Sequence, residues 1–274
     1  MRTRVGSIFV CSLLLGLAAA PAQAQYGARS ISDPATGENY HVEVSGYFWN
    51  PTPEIAITSQ ALTQQALGSR IDFVEDLGIE QTRFKQLKVV LRPAQKHKFR
   101  FEYTPISYEA VGSLKANIVF NGILYPVSLP VATDLQWKAY RFAYEYDFVS
   151  RDRGFVGLVL EAKYTDVQAT LSNVLDTEFV RAKAPIPTIG IIGRGYVAPN
   201  ISITGEFTGL ATGGIFGEDY KAHYYDFDLY GTVNFNDYVG AQVGYRSFNV
   251  FYHVDEDEGE LKLKGLYFGG VLRF

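Results

Sequence analysis

Beyond the export segment the chain holds four histidines, His41, His97, His223 and His253, and no cysteine. Acid–base or nucleophilic chemistry needs a base within hydrogen-bond reach of its partner. Two sets have the residue types for it: Asp72 with Glu75 or Asp76, and His253 with Asp255. The first set also offers oxygen ligands for calcium, but Phe73, Val74 and Leu77 interrupt it and no EF-hand spacing exists. Its spacing predicts an exposed polar strand end with a turn at Gly78. His223 is followed by Tyr224 and has no serine nearby, while His41 and His97 fall beside expected strand ends. No pair forms a convincing couple, so the residues predict no catalytic group, no metal and no cofactor. The single cysteine, Cys11, lies inside the export segment, which removes thiolate zinc sites, thiol nucleophiles and disulfides from the mature chain.

What the chain does offer in quantity is charge at alternate positions. Lys88, Arg100, Glu102, Arg141, Glu145, Asp147, Glu161, Lys163, Arg194, Glu206, Asp226, Asp228 and Arg246 share polar faces with Glu43, Arg92 and Lys98. The opposite faces are apolar. Residues 139–149 set Tyr140, Phe142, Tyr144, Tyr146 and Phe148 against Arg141, Ala143, Glu145 and Asp147. A period of two is the signature of a strand with two different faces. The same period recurs over 40–49, 84–92, 97–108, 154–164, from Ile201, over 224–235, from Val239, and over 260–274. In 187–197 the isoleucines Ile189, Ile191 and Ile192 blur the parity. With 19 Phe and 19 Tyr the composition suits half-buried pleated surfaces.

Residues 1–24 carry Arg2 and Arg4, an apolar core, and Ala22-Gln23-Ala24 before Gln25. That is a cleaved secretory signal, its core too short to span a bilayer. Residues 25–39 are polar and predict a flexible periplasmic leader, with the folded domain over 40–274. The 25 basic residues less Arg2 and Arg4 leave about 23 against 29 acidic ones, a balance that excludes a nucleic-acid binder.

Short turns are predicted at 93–96, 150–153, 198–200 and 236–237, and long connections at 50–83, 109–134, 165–186, 211–222 and 254–260. Counting back by twos from Phe274 gives Leu272, Gly270, Phe268 and Leu266. A terminal aromatic preceded by apolar or neutral residues at every second place resembles the closing strand of bacterial outer-membrane β-barrels. The resemblance extends, as a pattern, over the whole mature chain. It implies an all-β fold, a closed antiparallel transmembrane barrel of about ten strands (eight to twelve), with short periplasmic turns and long extracellular loops. It also implies that Phe268, Leu272 and Phe274 form a signal read by the barrel assembly machinery. The further partners would be outer-membrane lipid and lipopolysaccharide, around a monomer delivered by Sec-type export. Phe148, Phe155, Tyr196, Phe235, Tyr238 and Phe274 would form the periplasmic aromatic girdle.

With the apolar faces in lipid, the charges line a narrow lumen. Buried charges must pair or be solvated. The expectation is a non-enzymatic barrel, structural or surface-binding with a salt-bridged interior, or else a narrow passive channel; both need the same residues. The alternative is an outer-membrane hydrolase at the extracellular rim. Omptin-like proteases share the strand number, but the acids here lack the omptin spacing and the His–Asp order is reversed. Lipid A deacylases of this architecture use a His–Ser couple, which is missing. In the second long connection, Asn121-Gly122 between two apolar runs predicts a type I′ hairpin.

Overall fold

The computed structural model describes residues 35–58, 70–113, 117–120, 123–125, 130–174, 177–211, 220–254 and 257–274. Its strands in chain order are β1 (Val42–Thr58), β2 (Arg70–Asp72), β3 (Phe84–Ala94), β4 (His97–Ser113), β5 (Ile118–Phe120), β6 (Ile123–Tyr125) and β7 (Pro130–Arg151). They continue with β8 (Gly154–Ser172), β9 (Thr177–Ala198), β10 (Ile201–Ala211), β11 (Tyr220–Asn234), β12 (Val239–Val254) and β13 (Asp257–Arg273). Ten of these pair antiparallel, each with its sequence neighbour in the wall, in the order β1, β3, β4, β7 to β13. β13 returns to β1 in a register running from Glu43 opposite Arg273 to Thr58 opposite Glu258. The sheet therefore has no free edge among these ten strands, which satisfies the backbone without water.

The alternation read from the sequence settles which face is which. Phe142, Leu160, Ile191, Phe207, Leu229, Val243, Leu266 and Phe268 point outward and are exposed. Together they make an apolar belt far larger than a water-facing surface carries. The charges point inward. Where parity was blurred, Ile189 and Ile191 face out, whereas Ile192 packs inside with Ala143, Phe155 and Val159.

One end of the barrel turns tightly. Residues 95–96, 152–153, 199–200 and 235–238 connect paired strands. Asn236 Oδ1 accepts from the Tyr238 and Val239 amides at 2.8 Å each, the turn chemistry asparagine favours. Gly154 opens β8 at φ 155°, and a Cβ there would sit 2.3 Å from the Arg194 carbonyl oxygen. Only glycine fits that step.

At the other end much of what was expected as loop is strand. β1 runs on to Thr58, β4 to Ser113 and β8 to Ser172, while β7 starts at Pro130 and β9 at Thr177. The connection expected over 165–186 is thereby reduced to residues 173–176. The walls continue well past the apolar belt because cross-strand pairing persists wherever side chains still cover it. β5 and β6 form a separate two-stranded hairpin around Asn121-Gly122, with Ile118 opposite Tyr125. The two turn residues lie outside the described residues.

Two expectations are corrected here. Phe155 and Tyr196 are buried inside rather than placed in the girdle, because each shares parity with inward-facing neighbours; Phe148, Phe235, Tyr238 and Phe274 are exposed. The described end of the expected leader, residues 35–39, is also packed: Thr36 is buried and Glu38 is largely covered.

Candidate functional site

The lumen is filled in three layers, each built by different chemistry. The first closes the end with the tight turns. The Thr36 carbonyl accepts from Asn234 Nδ2 at 2.7 Å and Tyr196 OH at 3.2 Å, and the Gly37 amide donates to Asp237 Oδ1 at 2.9 Å. Glu38 Oε1 meets Arg194 Nη1 at 2.7 Å and takes a second bond from Tyr196 OH at 2.9 Å. Burial would raise the Glu38 carboxyl, but the Arg194 guanidinium outweighs it and holds the group below its ordinary value. Arg273 ties the segment to the closing seam, donating to Glu43 Oε2 and Asn234 Oδ1 at 2.7 Å each. Gly37 passes over it at φ 82°, where a Cβ would lie 2.6 Å from Arg273 Nη1.

The second layer is the ion-pair network of the central wall. Arg141 on β7 donates to Glu161 Oε2 at 2.7 Å, Glu102 Oε2 at 3.2 Å and Glu206 Oε1 at 2.6 Å. Arg100 on β4 bridges Glu145 at 3.1 Å and Glu206 at 2.7 Å. Arg246 on β12 grips Asp226 with two bonds of 3.0 and 2.8 Å and also reaches Glu102. Lys163 bonds Asp226 at 2.8 Å and lies 2.9 Å from Glu161. Lys98 meets Glu145 at 2.7 Å and Asp147 at 2.9 Å, with its ammonium 3.4 Å from the Phe155 ring centre. Two members stand apart: Lys88 rests 5.3 Å from the Tyr230 ring centre, and Asp228 accepts from Tyr267 OH at 2.8 Å. Neither has an oppositely charged side chain within ion-pair distance among the described residues. All thirteen charges of the expected lining are thus inside the barrel, and eleven of them join ion pairs.

The third layer fills the half with the extended walls and is apolar. Trp49, Ile55, Phe84, Ile106, Tyr108, Leu135, Trp137, Leu171, Phe248 and Leu263 line it. The stretch after β2 folds into it, with Phe73, Leu77 and Ile79 at 2% exposure or less. Phe73 N donates to Ile55 O at 2.9 Å and Ile79 N to Phe73 O at 3.0 Å, which close the turn. Tyr125 of β6 adds a bond from its hydroxyl to Leu171 O at 3.0 Å. The acids of this stretch cap the turn. Asp72 Oδ1 accepts from the Val74 and Glu75 amides at 2.9 Å each, and Asp76 Oδ2 accepts from the Asp72 amide at 2.9 Å. The segment expected to be an exposed polar strand end is therefore a plug, because Phe73, Leu77 and Ile79 point into the lumen while Val74 stays exposed.

Little space remains. The cavity beside Trp49, Arg141 and Arg246 holds about 20 Å³ and that beside Lys88, Arg100 and Tyr230 about 10 Å³. A single water needs roughly that much. A wider recess of 430 Å³ opens at the tight-turn end, between residues 35–41 and the turns carrying Gln95 and Asp152.

The histidines do not assemble a site. His97 Nδ1 lies 2.7 Å from Tyr144 OH on the outer wall, His41 Nδ1 lies 3.3 Å from the Arg92 carbonyl, and His223 stacks on Tyr225 and Phe251. The side chain of His253 and all of Asp255 lie outside the described residues. Phe268 and Leu272 on β13, and Phe274 just after it, are exposed on the outer face.

No protein-family model matches the chain, and no curated protein matches it. Solved structures do. The outer-membrane protease OmpT of Escherichia coli superposes with a TM-score of 0.61 at 8% identity, over 89% of this chain and 100% of its own. The fold is that of the bacterial outer-membrane β-barrels. The toluene transporter TodX of Pseudomonas putida, at 9% identity, matches over 89% of this chain and 93% of its own with a TM-score of 0.37. Ail of Yersinia pestis, at 10% identity, matches over 85% and 99% with a TM-score of 0.35. For this barrel, identities so low speak to the backbone alone.

Of the inward groups, the sequence missed Arg273, the 35–40 segment and the plug. The first carried a usable signal: it alternates with Leu272 and Phe274, so its parity already pointed inward.

Proposed function

We propose that this protein is a closed, monomeric, non-enzymatic barrel of the bacterial outer membrane, which passes no solute along its axis and does its work through the wall it raises outside. The supporting observation is the lumen: mouth segment, ion-pair network and apolar plug follow one another, and the cavities beside the ion pairs each hold about one water. Phe268, Leu272 and Phe274 would be the residues read by the assembly machinery after Sec-type export.

Planar-bilayer recording of the refolded mature protein tests the reading. A silent bilayer, with the fold verified by a heat-modifiable band, is expected. Steady openings whose ion selectivity shifts in Arg246→Ala and Glu145→Ala would overturn it in favour of a narrow channel.

A rim hydrolase is the second reading, since OmpT is a protease. Against it stand the turn-capping carboxylates of Asp72 and Asp76 and the absence of a histidine–carboxylate pair among the described residues. Cleavage of peptides or lipid A by the refolded protein, lost in His253→Ala, would establish the hydrolase instead.

A further inference from the structure

Three polar side chains in the apolar layer have no partner among the described residues. Tyr108 OH, Thr133 Oγ1 and Trp137 Nε1 make no hydrogen bond there, although these residues are only 1%, 3% and 3% exposed. Other polar groups of the same layer are satisfied: Trp49 Nε1 donates to the Gly265 carbonyl at 3.2 Å, and the Tyr125 hydroxyl donates to that of Leu171. The unpaired groups stand together on the inner face of β4 and β7. Tyr108 is paired across the strands with Leu135, which lies between Thr133 and Trp137 on β7. A buried donor without an acceptor loses the bonds that water would give it, so such groups are rare in a native fold.

The surroundings of these donors form a cup. The rings of Tyr108, Phe84, Trp49, Phe248 and Trp137 follow one another at centre distances of 5.2, 6.5, 5.8 and 5.2 Å, an aromatic collar across the lumen. Its floor is the ion-pair layer, since Trp49, Trp137 and Phe248 share a small cavity with Arg141 and Arg246. The plug fills it. Phe73, Leu77 and Ile79 belong to the same buried cluster, and a Cβ on Gly112 of β4 would lie 3.7 Å from the Leu77 carbonyl oxygen. Yet the plug is bonded to the wall on one side. Residues 70–72 pair with β1, Phe73 N donates to Ile55 O, and Gln81 Nε2 donates to Asn50 O at 2.9 Å, all on that strand. Among the described residues no hydrogen bond joins it to β4 or β7. Against the unpaired donors it brings apolar contact alone.

We propose that this cup binds a small neutral apolar molecule carrying a carbonyl oxygen, admitted from outside when the plug swings out on β1, with Tyr108, Thr133 and Trp137 as the donors that hold the oxygen. The inference extends the closed-barrel reading and uses its sealed floor. An apolar lining with a few convergent polar groups is the make-up of a small-molecule site. The Trp137 indole is a donor only, and each hydroxyl has a proton to give, so what the patch lacks is an acceptor. A ketone or ester oxygen supplies one and brings no further donor to satisfy. A charged ligand would find no free counter-ion, because the guanidiniums and carboxylates of the floor hold one another.

Benzophenone and diphenylmethane test the site. They differ at one carbon, a carbonyl in the first and a methylene in the second, and are close in bulk to the Phe73, Leu77 and Ile79 side chains combined. Native mass spectrometry reads what the refolded barrel retains on leaving the micelle, and a heat-modifiable band checks the fold. Wild type should retain benzophenone at least about tenfold better than diphenylmethane, and the triple variant Tyr108→Phe, Thr133→Val, Trp137→Phe should lose that preference. The same variant should unfold in urea at an equal or higher midpoint, because it deletes donors that the fold leaves unmatched. Benzophenone should also speed hydrogen exchange at the Phe73 and Ile79 amides. Equal retention of the two probes by wild type, an unchanged preference in the variant, or unresponsive plug amides would each overturn the proposal. So would a lowered midpoint, which would mean that the donors serve the fold itself. All these results leave the closed barrel standing; steady conductance in a planar bilayer would overturn that reading, and the sealed floor with it.

Discussion

Arg141 and Lys88 are both buried cations, yet their replacement should have very different effects. Arg141 faces four carboxylates, those of Glu102, Glu161, Glu206 and Asp226. Arg141→Met removes the partner these four share, leaving each with its remaining cation partners alone, and breaking a buried pair costs about 3–5 kcal/mol. Lys88 makes no ion pair of its own among the described residues; it rests on Tyr230 and attracts Glu102, Glu206 and Asp228 only at longer range, so Lys88→Met should cost less than Arg141→Met, on the order of 1 kcal/mol. Urea midpoints of the heat-modifiable form would show the difference; equal losses would mean that the pairs do not carry the central layer. Glu38 supplies a pH effect. Its pKa is depressed in the folded state, so its contribution is present above the ordinary carboxylate value of 4.5 and disappears as pH falls through the folded value. Residues 35–40 should therefore gain hydrogen exchange on acidification below 4.5 before the wall does, and Glu38→Gln should abolish that dependence.

At the scale of the strand, the two faces obey opposite rules. Phe142→Arg sets a charge on the lipid face in mid-belt, which costs about 2–4 kcal/mol at the bilayer midplane and should appear as lower yield of folded protein in vesicles. Phe73→Ala acts in the opposite compartment, removing a fully buried ring from the plug at about 3–5 kcal/mol, read as a lower thermal midpoint. Wall and plug were not equally legible. Alternation is a local property, so Tyr140 to Phe148 revealed their face without a structure, and the inward charges followed from the same parity. The plug depends on contacts among distant segments: Phe73 meets Ile55 and lies with Leu171 and Leu263, and nothing within a few residues of Phe73 announces that. Asp72, Glu75 and Asp76 read as an exposed polar strand end for the same reason, since turn-capping acids and solvated acids look alike in sequence. The extended walls were missed because Pro105, Pro126 and Pro130 suggest bends, yet Pro105 and Pro130 sit inside paired strands and Pro126 lies outside the described residues.

For the whole molecule, closure rests on the last residues. The Phe274 carbonyl accepts from the His41 and Val42 amides at 2.7 and 3.0 Å, and its own amide donates to Val42 O at 2.8 Å. Deleting Phe274 removes these bonds as well as the outward ring, so membrane levels of the barrel should fall; unchanged levels would sink the closing-strand argument. The ion pairs add a condition of a different kind. Arg100 on β4 pairs with Glu206 on β10, and Arg246 on β12 with Glu102 on β4, positions separated by 106 and 144 residues. A half-rolled sheet holds these cross-barrel partners apart, so that Glu206 needs water while Glu102, Arg100 and Arg246 keep only their neighbours Arg141, Glu145 and Asp226. The nascent barrel must therefore curl around a wet interior and lose that water only as its two edges meet. Assembly would then have a late drying step, with the matching of charges serving as the proof that the correct edges have met.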